Sequence, residues 1–279
     1  MAKAMTPLRY PGGKSKVIKN VLSPLFPQDF KEFYEPFIGG GSVALWIAQE
    51  NQNMKIHIND LNDKLITFWR NLQTEPEELV RILHETRDLF EPTDVDEGKR
   101  LLSEKQNDLY NSEWGMDKAV AFYVLNKISF SGLTEHGSIS KAAYEKTFNH
   151  TNIDRLVEIS ENMKNFHISN SHFNTFMLSP TEDDFTFLDP PYQIESSNLY
   201  GKKGEMHSGF DHKEFLESVK AMKGRWMITY NDNEWLREQY KDYNIIDQEY
   251  RYCMSFGKDE VGNKKTRMKN ELIITNYDL

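Results

Sequence analysis

A chain of 279 residues has room for one large domain, or for a core domain with an insertion, and can bury a sizeable core. Aromatic residues at 13% and charged residues at 28% exclude a disordered chain, and the single cysteine, Cys253, excludes an intrachain disulfide and a cysteine zinc site. The formal net charge of -9 argues against indiscriminate nucleic-acid binding, yet allows a basic groove on an acidic surface. With no secretory signal, long apolar span, internal repeat or low-complexity tract in view, a cytoplasmic protein is expected.

In chain order, Arg9-Tyr10-Pro11-Gly12-Gly13-Lys14-Ser15-Lys16 comes first. Its Pro-Gly-Gly turn lets the backbone approach a ligand, with Tyr10 as a ring for stacking and Lys14 as a cation. The glycine spacing does not fit a phosphate loop, and a plain turn capping a helix from Ser15 fits the stretch equally well. Phe33-Tyr34-Glu35-Pro36-Phe37, then Ile38-Gly39-Gly40-Gly41-Ser42, then the apolar residues 43–48 read as strand, glycine turn and helix. Such a turn after a first strand admits a nucleotide-like ligand. Residues 55–58 alternate like a second strand and end in Asn59-Asp60. An acid there, about 20 residues after the glycines, suits ribose hydroxyls. It also suits the N-cap of a helix beginning near Leu61 or Asn62, and both roles can hold together.

The character changes over residues 61–164. Leu65, Phe68, Trp69 and Leu72, and then Leu79, Leu83 and Leu89, fall at helical spacing and predict core-facing stripes. Another helix is expected over residues 118–126, while Glu75, Glu77, Glu78 and Asp94, Asp96, Glu97 read as solvated surface. Lys127-Ile128-Ser129-Phe130-Ser131-Gly132-Leu133 opens a polar loop or hairpin that runs to about His150 and carries Lys141 and Lys146. A loop mounted on helices suits partner recognition. Asp154 is expected to cap a helix to about Lys164, followed by a short strand over Phe166–Ser169. Phe173 and Phe176 could flank a purine, although core packing suits at least one of them better.

A buried strand over Phe185–Leu188 then runs into Asp189-Pro190-Pro191-Tyr192. The prolines end the strand abruptly and leave a rigid turn at its carboxyl end, where open α/β sheets bind ligands. The turn suits chemistry on an exocyclic amino group. Asp189 offers a carboxylate oxygen and Pro190 a main-chain carbonyl, two acceptors that localise the amine lone pair. Tyr192 can stack on a base taken out of a duplex. A lid-like stretch over residues 193–209 with Lys202, Lys203 and Gly204 follows, then a helix from Asp211, a strand over residues 225–230 ending in Asn231-Asp232-Asn233, and another helix. Two last strands, over residues 245–252 and 271–275, are joined by the most basic segment of the chain. Lys258, Lys264, Lys265, Arg267 and Lys269 lie there and suit phosphate contact.

Taken together and in this order, Tyr10-Pro11-Gly12-Gly13-Lys14, the stretch from Glu35 to Val43, Asn59-Asp60, the stretch from Asn126 to Gly132 and Asp189-Pro190-Pro191-Tyr192 resemble the Dam-like DNA adenine-N6 methyltransferases. The similarity reaches the closing Lys269-Asn270-Glu271-Leu272-Ile273-Ile274-Thr275-Asn276. The resemblance implies an α/β, Rossmann-like S-adenosylmethionine-dependent fold. Residues 1–60 and 165–279 would form its catalytic domain and residues 61–164 a helical target-recognition insertion. It further implies that Tyr10 and Lys14 contact the cofactor, that Phe37, Gly39 and Gly41 line its pocket, and that Asp60 holds its ribose. Asp189 would lie between cofactor and amine, and Tyr192 would stack on the flipped adenine. Lys127, Phe130 and Ser131 are expected on the DNA, together with Lys264, Lys265 and Arg267. The expected partner is double-stranded DNA, with no metal and no membrane, and the protein is expected to be a monomer or weak dimer.

Three departures stand out. Tyr10 occupies a position where Trp is frequent, and Ser131 one where the loop often has Asn. Glu135 lies near where relatives that read GATC carry a basic residue; Arg reads guanine by donating, which a carboxylate cannot do. Three other functions are weighed: a methyltransferase acting on cytosine N4 or a non-DNA amine, a non-catalytic DNA-binding protein on the same scaffold, and a nicotinamide dehydrogenase. The motif order, the intact acids and the double proline disfavour them.

Overall fold

The apolar runs of the sequence meet in one sheet. In the computed structural model, residues 6–135, 137–192, 209–251 and 268–279 are described. Strands β1 (Glu32–Glu35), β2 (Lys55–Asn59), β3 (Phe166–Ser169), β4 (Phe185–Leu188) and β5 (Arg225–Asn231) run parallel. β6 (Asn244–Arg251) and β7 (Met268–Thr275) are antiparallel to each other, and β7 is antiparallel to β5. The order is β3-β2-β1-β4-β5-β7-β6. All four residues of β4 are buried, Thr186 among three apolar side chains, as in a strand covered on both faces. The chain builds outward from β1 to β2 and β3, then returns to place β4 and β5 on the other side. This reversal between β1 and β4 opens a crevice at the carboxyl edge of a Rossmann-like sheet.

Helix α1 (Ser42–Glu50) joins β1 to β2, and the crossover from β2 to β3 carries the inserted helices. These are α2 (Asp63–Thr74), α3 (Pro76–Asp88), α4 (Val95–Asn111), α5 (Gly115–Ile128), α6 (Lys141–Lys146) and α7 (His150–Glu161). α2 begins where the Asn62 side chain accepts from the backbone N–H groups of Lys64 and Leu65. Its stripe of Leu65, Phe68, Trp69 and Leu72 is fully buried, as the spacing predicts, at about 2 kcal/mol per side chain. α5 is apolar around nearly its whole girth and is correspondingly buried, with α2 and α4 packed on it. Sheet residues such as Phe33 and Ile56 share one continuous core with Phe68 and Leu125 of the insertion. α8 (Phe173–Phe176), α9 (His212–Ala221) and α10 (Glu234–Gln239) are the remaining α-helices among the described residues. No helix among the described residues is long and apolar enough to cross a membrane, and no group of three or more His, Cys, Asp or Glu there is arranged to hold a metal.

Three local expectations need correction. α7 begins at His150, not Asp154, because Asn149 provides the cap by accepting from Asn152 N; Asp154 lies inside the helix and accepts from His84 Nε2 at 2.8 Å. The polar segment before it is not all loop: Ser140 caps α6, which carries Lys141 and Lys146, and Ser129 bridges Ile139. Asp60 does not cap α2. Asn62 does so, leaving the Asp60 carboxylate for other donors.

Gly41 closes the glycine turn at φ 70°, where a Cβ would sit 2.6 Å from Cη2 of the buried Trp69. Left-handed strain and overpacking together predict that Gly41→Ala loses roughly 2–4 kcal/mol of stability by urea unfolding. Gly115→Ala, where the nearest atom lies at 3.8 Å, should be neutral or slightly stabilising.

Candidate active site

The segments leaving β1, β2 and β3 are tied together by Asn59: its Nδ2 donates to Pro36 O (3.2 Å) and Ser171 O (3.0 Å), and its Oδ1 accepts from Ser171 N (2.9 Å). Ile38 N donates to Asn59 O at 2.9 Å, and Gly39 N to Asp60 Oδ2 at 3.2 Å. Gly39, at φ 44°, lies against the Tyr10 ring so closely that a Cβ would approach it to 2.8 Å. Phe37 packs edge-on against Phe210 and Phe215 and tilted against Phe173. Phe173 and Phe176 are both buried, so core packing claims both of them.

Burial raises the pKa of two carboxyls here. Asp60 is pushed up to about 6, although the backbone N–H groups of Asn62, Gly39 and Leu61 favour its ionised form. Glu35 is raised well above the carboxylate range by burial, with the charges of Asp189 and Asp60 adding to the effect. Its Oε2 accepts from Ala44 N at 2.9 Å, in the first turn of α1.

Asp189 sits between these loops and β5. Its Oδ1 accepts from three groups: Thr229 Oγ1 at 2.7 Å, Lys14 Nζ at 2.8 Å and Tyr192 Oη at 3.3 Å. Its Oδ2 accepts from no group among the described residues, and the side chain is 20% exposed. Pro190 beside it is buried. Lys14 is only 4% exposed. Its ammonium donates to Gly12 O (3.0 Å), Asp189 and Tyr192 Oη (2.9 Å), which uses its three hydrogens, with Glu271 Oε2 3.9 Å away. The structure brings the cation expected at the cofactor onto Asp189. Tyr192 lies with its ring 5.9 Å from that of Tyr230, at 27°.

The recognition loop is tied to the same edge. Fully buried Asn126 accepts from Arg9 N (2.9 Å) and donates to Arg9 O (2.9 Å) and Gly132 O (3.0 Å). Arg9 Nη1 donates to Lys127 O and Ser129 O. Phe130 is 55% exposed, and Ser131 holds φ 55°. Glu135 accepts from Asn62, Lys64 and Tyr110, all in the insertion. Lys264, Lys265, Arg267, Cys253 and the lid residues Lys202, Lys203 and Gly204 lie outside the described residues. Sequence reasoning missed Thr229 and Glu271. In each case the only signal is a polar residue within or beside a buried apolar run, Met227-Ile228-Thr229 and Glu271-Leu272-Ile273.

A Rossmann-like sheet with a ribose-height acid and an acidic double-proline turn at its switch point is the frame of a methyltransferase that acts on an amino group. Over residues 10–254 the sequence matches the family described as D12 class N6 adenine-specific DNA methyltransferase, and the chain belongs to that family. The protein is therefore a DNA adenine-N6 methyltransferase, and the cytosine and non-catalytic alternatives give way to that function. Among its relatives, type II methyltransferase M1.LlaDCHI of Lactococcus lactis subsp. cremoris is 26% identical over 283 residues, covering 96% of this chain and 94% of that protein. Modification methylase StsI of Streptococcus sanguinis is 26% identical over 305 residues, 98% of this chain but 43% of that protein. The DNA adenine methylase of Vibrio cholerae serotype O1 is 26% identical over 198 residues, covering 69% and 66% respectively.

Removing one partner of a buried ion pair leaves the other charge uncompensated. Lys14→Met should therefore lower the unfolding free energy by about 3 kcal/mol, read from urea denaturation. Adding Asp189→Asn should recover part of the loss, because the stranded carboxylate causes most of it.

Proposed function

We propose that the enzyme takes its methyl group from S-adenosylmethionine and places it on N6 of an adenine turned out of double-stranded DNA. The observation that carries this reading is the divided state of Asp189, whose Oδ1 is held by three donors while Oδ2 stays open at the switch point. An exocyclic amine is a poor nucleophile because its lone pair is delocalised into the ring. Oδ2 and the Pro190 carbonyl are two acceptors for its two hydrogens, and Pro191 keeps that carbonyl rigid. Accepting both hydrogens localises the lone pair where the methyl group must arrive. Tyr192, backed by Tyr230, offers a ring face to the base.

Tyr10, Phe37, Gly39, Gly41 and Asp60 are proposed to hold the cofactor, with Asp189 between it and the amine. The residues fit it. The Gly39 turn leaves no side chain between backbone and the Tyr10 ring, and the Asp60 carboxylate can accept from ribose hydroxyls. The Asp60 carboxylate beside the glycine turn, ionised above about 6, suits a sulfonium cation. When bound, the cofactor supplies an electrophilic methyl group.

Residues 61–164 are proposed to read the DNA, with the protein acting as a monomer or weak dimer. Phe130 is exposed at the loop, next to Ser131. Burial, then Arg9 and Arg155, push Lys127 down to about 8. None of these three cations has an ion pair among the described residues. A backbone phosphate would compensate them locally, whatever the total charge of the chain.

Asp189→Ala should lower kcat on the order of a hundredfold or more while the fold, cofactor affinity and DNA affinity persist. Methylation assays with calorimetry check this, and wild-type turnover in a folded variant would remove Asp189 from the chemistry.

A pH dependence follows from Asp60. Its ionised form, with both oxygens as acceptors, is the stronger partner for ribose hydroxyls, so cofactor binding favours release of a proton below the shifted value of about 6. Calorimetry should find affinity level above pH 7 and falling by up to about tenfold per pH unit below 6. Asp60→Asn should bind weakly at every pH, without that acid limb. For folding alone the sign is opposite: ionising a carboxyl whose constant is raised costs stability, and this cost develops as pH rises from about 4 to about 6.

A further inference from the structure

We propose that Thr229 is a positioning residue for methyl transfer: its hydroxyl fixes the Asp189 carboxylate so that Oδ2 alone is presented to the target amine. This rests on the reading of Asp189 as the acceptor for the amine. The pairing of Leu188 with Ile228 in the parallel β4–β5 ladder sets Thr229 alongside Asp189. Thr229 is 0% exposed, in a strand whose neighbours Met227 and Ile228 are fully buried and apolar. A hydroxyl is costly in such a place unless it is bonded, and it donates to Asp189 Oδ1 at 2.7 Å, the shortest of the three contacts to that oxygen.

The three donors differ in what they can specify. The Lys14 ammonium is a point charge with rotating hydrogens, and it would serve either carboxylate oxygen. Tyr192 lies at the longest distance, 3.3 Å, and belongs to the turn that meets the base. The Thr229 hydroxyl is carried by a β-branched side chain with a restricted χ1, on a strand paired on both sides by β4 and β7. It is therefore the donor that sets the plane of the carboxylate. With three donors on Oδ1, the lone pairs of Oδ2 are left for N6–H. Were the carboxylate to turn, the amine would have to compete with Lys14 for an oxygen.

The test compares Thr229→Val, nearly isosteric but without the hydroxyl, with Thr229→Ser, which keeps it. Steady-state and single-turnover methylation of duplex DNA are measured alongside thermal unfolding and cofactor calorimetry. The expected result for Thr229→Val is a kcat lowered roughly tenfold to a hundredfold, with the KM for DNA and the cofactor affinity within about twofold. Thr229→Ser should stay within about threefold of wild type. If the Val variant does not fold, Thr229→Ala against Thr229→Ser asks the same question, and a slow Ala with a fast Ser supports the proposal. Wild-type turnover in Thr229→Val, equal losses in Val and Ser, or a loss confined to KM would overturn it. Asp189→Ala is run in parallel. If it is inactive while Thr229→Val is normal, only the positioning role falls. If it is active, the reading of Asp189 falls and the proposal with it.

Discussion

A buried ammonium must be surrounded by acceptors, and this condition on Lys14 organises the catalytic edge. Taking the charge out of water costs several kcal/mol, which only well-aimed partners can offset. Gly12 O, Asp189 and Tyr192 meet it directly, with Glu271 further off. Gathering them requires the amino-terminal turn to lie across the carboxyl end of β4 and the amino-terminal half of β7. The Pro-Gly-Gly geometry permits this approach, with Gly13 N donating to Tyr10 O at 3.1 Å, and Lys14 N donates to Ser42 Oγ at the start of α1. The pairing that stabilises the segment also occupies one oxygen of Asp189 and leaves the other without a donor among the described residues.

The same segment is gripped by the insertion. Asn126 bonds both backbone groups of Arg9, and a Cβ at Gly132 would lie 2.1 Å from Arg9 O, so only glycine fits there. Trp69 packs under Gly41 and donates to Gly39 O at 3.2 Å. The loop after α5, the glycine turn and the amino-terminal turn are therefore packed on one another. Ser131 holds a left-handed conformation that Asn tolerates better, so its departure from the family pattern carries a small backbone cost.

Charge is partitioned in the same way. The exposed pairs of α3, such as Arg81 with Glu78 and Glu85, are screened and add little. Within the crevice, Glu35 and Asp60 titrate upward because burial disfavours their charged forms. Burial, then the charges of Arg9 and Arg155, push the pKa of the Lys127 ammonium down.

Local chemistry was legible in the sequence. Phe185–Leu188 is a strand because it is short, apolar and ended by prolines; α2 carries its stripe at helical spacing; and Asp211 and Asn233 cap the helices that follow them. The glycine turn, Asp60 and the Asp-Pro-Pro-Tyr turn could be recognised because each needs a particular residue at a particular strand end. What joins them was not legible. Whether Asp60 caps a helix or faces Gly39 depended on a competing cap at Asn62, and α7 began at Asn149 rather than Asp154 for the same reason. Lys14 meets Asp189 across 175 residues, Asn126 meets Arg9 across 117, and Thr229 meets Asp189 from the neighbouring strand. Propensity and periodicity act over a few residues. A buried charge or hydroxyl takes whatever acceptor the folded sheet brings to it, and that choice belongs to tertiary structure alone.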